Sequence, residues 1–357
     1  MTTHDHDGNG HATDVGRAAS SGHIARLPVS YLRISVTDRC NLRCVYCMPA
    51  EGVPTKAHDE VLRYEEIARL VRVAARLDQL DGQGRRDRIS RVRLTGGEPL
   101  VRRGIASLVA MIAEIPGIDD LSMTTNGTLL ARHAEELAQA GLRRINISLD
   151  TLNPERFHAI TRLGRLEDTL AGIRAAAEAG LAPVKINIVV MRGINADEAA
   201  AFARRTVTDG WNVRFIEVMP IGEGALASAA QYVPSAETRA SIEAELGPLE
   251  RAKLPGGGPA RYWRVPGAPG TIGFISPISQ HFCLACNRLR LTADGKLLPC
   301  LFTPPEAEID LRSPLRAGAD DSVLAALFRQ AIAEKPYDHH LSEHIVPTSR
   351  FMSRVGG

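Results

Sequence analysis

From residue 29 to residue 219 the chain trades between two periodicities. Apolar and polar residues alternate at period two over 31–37, 89–95, 120–125, 144–150, 183–191 and 212–219, and apolar residues recur at helical spacing near 64–78, 104–115, 128–140, 167–180 and 196–209. The first pattern predicts strands and the second the helices between them. Strand and helix repeated in this way predict a parallel sheet.

The alternation inside the strands narrows the architecture. Leu32, Ile34 and Val36 alternate with Arg33, Ser35 and Thr37, and Val92 and Leu94 with Arg91, Arg93 and Thr95. Leu121 and Met123 alternate with Ser122 and Thr124, and Ile145, Ile147 and Leu149 with Asn146, Ser148 and Asp150. Lys185 and Asn187 interrupt the fifth strand in the same manner. A doubly wound sheet covered on both faces reads as nearly continuous apolar runs, and a closed eight-stranded barrel fills its interior with branched apolar side chains. Neither suits these strands. The expected fold is α/β, an incomplete (β/α)6 TIM-like barrel with helices outside and the polar parity lining a cavity for a polar ligand.

The rest of the chain has a different texture. Residues 1–28 hold His4, His6, His11 and His23 among Gly, Asp, Ser and Ala, show no apolar period, and predict a disordered arm. Near residue 250 the helical pattern gives way to Pro/Gly-rich loops over 254–259 and 266–270, which places a domain boundary there. The expected organisation is thus an arm over 1–28, a barrel over 29–250 and a C-terminal region over 251–357, with one more helix near 322–334. Residues 78–88 form a charged loop of unassigned role.

Composition removes several classes of function. The 357 residues are 44% apolar and 24% charged, as in an ordinary globular protein. No stretch approaches the roughly 20 apolar residues of a membrane helix, and no secretory signal is visible, so the expected location is the cytoplasm. The formal charge of +2 argues against nucleic-acid or membrane-surface binding and leaves any anion to a local site. Of 43 basic residues only Lys56, Lys185, Lys253, Lys296 and Lys335 are lysines, so a single arginine carries little information.

All six cysteines fall into two triplets: Cys40, Cys44 and Cys47, then Cys283, Cys286 and Cys300. Such clustering points to metal or catalysis rather than to disulfides. The first triplet follows the first strand, where α/β barrels gather their active sites. Three thiolates can hold three irons of a [4Fe–4S] cluster and leave the fourth iron for an outside ligand. A zinc knuckle is the alternative, although structural zinc takes four ligands. In the second triplet thirteen residues separate Cys286 from Cys300, and His281 stands near enough to complete a zinc site instead.

The CxxxCxxC spacing, with Tyr46 before its last cysteine, resembles the radical S-adenosylmethionine (SAM) superfamily signature, and Thr95-Gly96-Gly97-Glu98-Pro99 is similar to the element by which that superfamily holds the methionyl amino group. The resemblance implies SAM chelated to the open iron and a 5′-deoxyadenosyl radical. With the second triplet, Arg288 and Arg290, the sequence from Tyr31 to the final Gly-Gly resembles the GTP 3′,8-cyclase family. That implies two [4Fe–4S] clusters, SAM contacts at Tyr46, Gly97, Ser148 and Met219, and GTP contacts at Arg33, Arg93, Thr124, Lys185, Arg288 and Arg290. It also implies catalytic roles for Arg288, Arg290 and the terminal Gly356 and Gly357, with Arg354 near them. The implied activity is that of a lyase converting GTP to (8S)-3′,8-cyclo-7,8-dihydroguanosine 5′-triphosphate, the first step of molybdenum cofactor biosynthesis. The implied partners are a reductant such as flavodoxin or ferredoxin, a second copy in a homodimer, and cyclic pyranopterin monophosphate synthase downstream. Another twin-cluster radical SAM enzyme of the peptide- or sulfatase-modifying type, and a non-catalytic zinc or iron–sulfur module, are the competing readings.

Overall fold

The computed structural model describes residues 28–78, 87–223, 230–339 and 351–352. Most of the N-terminal arm, residues 79–86 of the charged loop, Arg354 and the pair Gly356-Gly357 lie outside the described residues.

All the alternating segments form strands: β1 (Tyr31–Ser35), β2 (Arg91–Thr95), β3 (Asp120–Thr125), β4 (Arg144–Ser148), β5 (Lys185–Val190) and β6 (Asn212–Glu217). They pair side by side in chain order, each parallel to the next. The helices between them are α1 (Tyr64–Ala75), α2 (Ile105–Ala113), α3 (Ala134–Gln139), α4 (Pro154–Thr161), α5 (Leu166–Glu178) and α6 (Ala199–Thr208). The apolar parity supplies the sheet's outer face. Leu32, Ile34, Val92, Leu94, Ile145 and Ile147 are fully buried against Ile67, Leu70, Leu108, Leu137 and Phe202 of the helices, in one continuous core. Each such side chain removed from water stabilises the fold by about 1.5–3 kcal/mol before entropy is counted.

Two helices carry no readable periodicity. In α4 the signal is a cap, since the Asn153 side chain accepts from the Arg156 amide at 2.8 Å ahead of Pro154. In α7 (Ser235–Leu246) only Ser235, Thr238 and Ile242 are buried, too few apolar positions to print a stripe. The pattern over 128–140 divides into a 3-10 turn, Leu130–Arg132, and the short α3.

The C-terminal region extends the sheet at both edges. After α7 come β7 (Glu250–Ala252), β8 (Arg261–Arg264), β9 (Thr271–Ile275), β10 (Arg288–Leu291), β11 (Lys296–Leu298) and β12 (Ile309–Asp310), then α8 (Arg312–Arg316) and α9 (Asp321–Ala333). The strand order is β12-β11-β10-β1-β2-β3-β4-β5-β6-β9-β8-β7, with β10 parallel to β1 and β9 parallel to β6. Among the described residues the end strands do not pair with each other, so the sheet is an open, incomplete barrel. Antiparallel β7–β8 and β11–β12 flank the parallel strands.

Candidate active site

The first cysteine loop leaves the C-terminal end of β1 and is anchored on three sides. The amides of Arg43 and Val45 donate to the carbonyls of Thr161 and Ile160 at the end of α4, at 2.9 and 3.0 Å. The Tyr46 hydroxyl donates to Asp150 at 2.7 Å, and Asp150 accepts the Val189 amide at 2.8 Å, so the loop is tied across β4 to β5. Burial raises the Asp150 carboxyl to about 6 against the hydrogen bonds from Val189 and Tyr46. The third anchor is the loop after β2, where the amides of Gly97 and Glu98 donate to the carbonyls of Thr37 and Arg39 at 2.8 and 2.9 Å.

Glycine is needed there because a Cβ on Gly97 would stand 2.4 Å from the Arg39 carbonyl oxygen. The close approach that this glycine permits is therefore between two loops as well as toward the cavity it lines. Glu98, 1% exposed, accepts from Leu100 N, Asn126 N and the Thr125 hydroxyl at 3.0, 2.7 and 2.7 Å. Burial raises its carboxyl to about 7, opposed by those donors.

The second triplet is assembled from two separated segments. Cys283 opens a 3-10 turn that ends at Cys286, directly before β10, and Cys300 follows β11. Because β10 runs parallel to β1 with Arg288 opposite Tyr31, and β11 runs antiparallel to β10, this triplet sits at the N-terminal end of the strands. The first triplet sits at the C-terminal end. The length of β1 thus separates them, about 15 Å of strand.

Both triplets line one cavity, and their thiols are tuned differently. Burial pushes Cys40 up to about 11, and burial together with Cys47 and Asp150 pushes Cys44 well above its usual range. Burial also pushes Cys283 up to about 11. For Cys286 burial acts upward, but Arg288 and Lys335 beside it, with hydrogen bonds from Arg288, bring it down to about 6.

The cavity wall carries most of the residues expected from sequence. Arg33, Arg93, Arg288 and Arg290 line it, with Arg33 in register with both Arg93 and Arg290. Burial lowers the Arg33 guanidinium, and the charges of Arg290 and Arg93 lower it further. Tyr46, Gly97, Thr124, Ser148 and Met219 line the same cavity. Lys185 does not. It lies in an adjoining cavity near the N-terminal strand ends, which shares Arg93, Arg214 and Gly258 with the first and adds Arg251, Lys253 and Arg261. Its ammonium donates to the Pro255 carbonyl at 2.6 Å, and a Cβ on Gly256 would stand 3.0 Å from it.

Arginines paired with Asp150 or Glu217 would have been a structural use of the same residues. Those acids are engaged elsewhere: Asp150 as above, and Glu217 with Ser235 N, Ile278 N and Ser279 N at 2.9, 3.1 and 3.0 Å. Sequence reasoning missed Arg214, 4% exposed on the inner parity of β6, whose Nη2 donates to Asn146 at 2.5 Å while its Nε has no partner. The same alternation that marked Arg33 and Arg93 would have found it. It also missed Lys335, and it set Asn187 on the polar parity without giving it a role; both lie on the cavity wall.

The donor set fits iron–sulfur clusters better than single ions. Ligands of one zinc ion stand about 3.8 Å apart when each sulfur is about 2.3 Å from the metal. Among the described residues the group whose ligand atoms all fall within 4.8 Å of one another is His281, Cys283 and Asp338, and neither cysteine triplet forms such a group. Thiolates spaced more widely suit a cluster, where each sulfur has its own iron. Between the triplets Thr124 Oγ1 and Asn187 Oδ1 are buried without a partner, as a wall built for a polar ligand requires.

A laterally open parallel barrel with a three-cysteine loop after its first strand defines a radical SAM protein, the class that uses SAM with a [4Fe–4S] cluster. Residues 34–206 match the radical SAM superfamily, and residues 211–341 match the family described as Molybdenum Cofactor Synthesis C. The SAM-bound crystal structure of Streptococcus suis SuiB shares the fold, with a TM-score of 0.57 at 15% identity over 85% of this chain and 68% of that one. The GTP 3′,8-cyclase of Heliobacterium modesticaldum is 55% identical over 331 residues, 92% of this chain and 98% of that protein. The GTP 3′,8-cyclase of Pelotomaculum thermopropionicum is 53% identical over 330 residues with the same coverage. The chain belongs to the GTP 3′,8-cyclase family. No described helix is long and apolar enough to cross a membrane.

Proposed function

We propose that this chain is a lyase that cyclises GTP to (8S)-3′,8-cyclo-7,8-dihydroguanosine 5′-triphosphate, opening molybdenum cofactor biosynthesis. The observation that carries the reading is one cavity with a cysteine triplet at each end and arginines on the wall between them. The first triplet, Cys40, Cys44 and Cys47, would hold the SAM cluster, and the second, Cys283, Cys286 and Cys300, a substrate cluster. Bound together, SAM and the reduced cluster supply one-electron carbon-radical chemistry at the ribose.

The chain's own residues do the positioning. Tyr46, Gly97, Ser148 and Met219, near the C-terminal strand ends, suit the SAM side. Arg33, Arg93 and Thr124 stand between the triplets, and Arg288 and Arg290 begin beside the second. Lys185 and Arg214 add charge where a triphosphate of about four negative charges would end. Both parts of the chain contribute to the cavity wall around the two triplets. Gly356 and Gly357 are assigned to catalysis on family resemblance alone. The division near residue 250 is one of role, 29–250 carrying SAM and 251–357 the substrate cluster. A flavodoxin- or ferredoxin-type reductant, a homodimer, the downstream synthase and a cytoplasmic location belong to the same proposal.

The test is anaerobic reconstitution followed by incubation with dithionite, SAM and GTP. Expected are about eight irons per chain, 5′-deoxyadenosine formed only when GTP is present, and a cyclised nucleotide by mass spectrometry. Deoxyadenosine released equally without GTP, or GTP recovered unchanged, would overturn the substrate assignment.

A further inference from the structure

Lys335 is one of five lysines in a chain that otherwise uses arginine, and it is 4% exposed. Lys56 and Lys296 form ion pairs with Asp294 and Asp310 at the surface, as arginine could. Lys335 follows α9, and its ammonium enters the wall of the cavity beside the second triplet. It donates to the carbonyl of Arg288 and to that of Pro299, each at 2.8 Å. Arg288 lies two residues after Cys286, and Pro299 directly precedes Cys300. One ammonium therefore joins the two segments on which the triplet depends, while its charge acts on the sulfurs of Cys286 and Cys300.

The bridge suits lysine best, while the charge could come from either cation. A compact ammonium with three donors can satisfy two carbonyls on different segments and still face a sulfur, whereas the planar guanidinium is longer and directs its donors in a fixed fork. A buried cation next to thiolates also offsets part of the negative charge that three thiolates bring to a cluster. Hydrogen bonding and local charge set the potentials of such centres.

We propose that Lys335 is the positioning residue of the second triplet, fixing Cys300 against Cys286 and raising the reduction potential of the cluster they hold. This rests on the two-cluster reading above. A positive charge beside the cluster stabilises its more negative, reduced form, so the potential falls when the charge is removed.

The experiment compares the reconstituted full-length chain with its Lys335→Met and Lys335→Arg variants. Iron is counted, and the second cluster is followed by EPR during a dithionite titration, its signal identified as the one absent from a Cys283→Ala/Cys286→Ala/Cys300→Ala chain. Expected for Lys335→Met is a second cluster with a lower potential, or loss of about half the iron, with Lys335→Arg closer to the unsubstituted chain in either readout. Full iron at an unchanged potential in Lys335→Met overturns the proposal, and so does equal loss of the second cluster from both variants, which would leave only a packing role. If the unsubstituted chain itself binds about four irons, the two-cluster reading fails, and that is seen before any variant is made.

Discussion

Lys185 stands at the first position of β5, 3% exposed, among cations. Burial, and then the charges of Arg214, Arg144 and Arg93, lower its ammonium from an ordinary 10.5 to about 6. At neutral pH the empty site therefore holds it mostly uncharged, its hydrogen bond to Pro255 notwithstanding. A triphosphate placed beside it restores the charged form, so binding takes up a proton. Divided by that of a Lys185→Met chain, which cancels the titration of the terminal phosphate of GTP near about pH 6, the dissociation constant for GTP should be flat below pH 6 and rise above it by up to about tenfold per pH unit, until the pKa of the complex is reached. Calorimetry in buffers of different ionisation enthalpy should show the uptake, and Lys185→Met should remove it. A ratio of the two dissociation constants that stays constant from pH 6 to 8 would show that Lys185 does not meet the phosphates. The sign for folding is separate: the unfolded chain holds this proton up to about 10.5 and the folded chain only to about 6, so this group's destabilisation is complete below pH 6 and shrinks as pH rises toward 10.5. Arg214 belongs to the same scale. With its Nε unpartnered in the empty site, Arg214→Met should raise the KM for GTP by about 10- to 100-fold, the worth of one charge-assisted contact.

At the scale of elements, the cysteine loop owes its shape to neighbours that are distant in sequence. The loop after β2 is pressed against residues 37–39 closely enough that Gly97 leaves no room for a methyl group. Gly97→Ala must push the two loops apart, at about 1–3 kcal/mol, and should lower iron content by about half as the first cluster is lost while the second remains. A Gly97→Ala chain with full iron and an unchanged melting temperature would mean that the loops yield cheaply. Sequence carried this element only in part. The strands were readable because their alternation is a property of consecutive residues, and that parity already pointed Arg33, Arg93, Thr124 and Ser148 into a common cavity. Lys335 was not readable, because the atoms that define it are the carbonyls of Arg288 and Pro299, 47 and 36 residues away. The Tyr46–Asp150 bond, across 104 residues, was hidden for the same reason. Lys185 shows the limit of parity, which gave its face of the sheet but not which of two adjoining cavities it enters.

For the whole molecule, the decisive fact is that the C-terminal region pairs with both edges of the parallel sheet. Strand β10 covers the edge of β1, and β9 covers the edge of β6. The sequence there, Pro/Gly-rich loops without a clear period, gave no sign of these strands or of their pairing, since pairing partners are set by three-dimensional closure and not by local period. The consequence is geometric. A chain that ended with β6 would offer SAM a floorless trough, whereas β10 brings Cys283 and Cys286 to the N-terminal end of β1 and places Arg290 opposite Arg33. Closure of the edges and completion of the site are thus the same event, and removing residues 250–357 should cost far more than the second cluster. The remaining chain would expose two unpaired edges and the core residues that had packed against the lost Leu289, Leu291, Ile272 and Phe274. We expect it to aggregate or to melt without a cooperative transition, where the full chain melts as a unit. The Cys283→Ala/Cys286→Ala/Cys300→Ala chain, which loses ligands but no strand, should keep the cooperative transition. Calorimetry on the two separates the roles: a truncated chain that melted as sharply as the triple variant would make the C-terminal region an independent cap rather than part of the barrel.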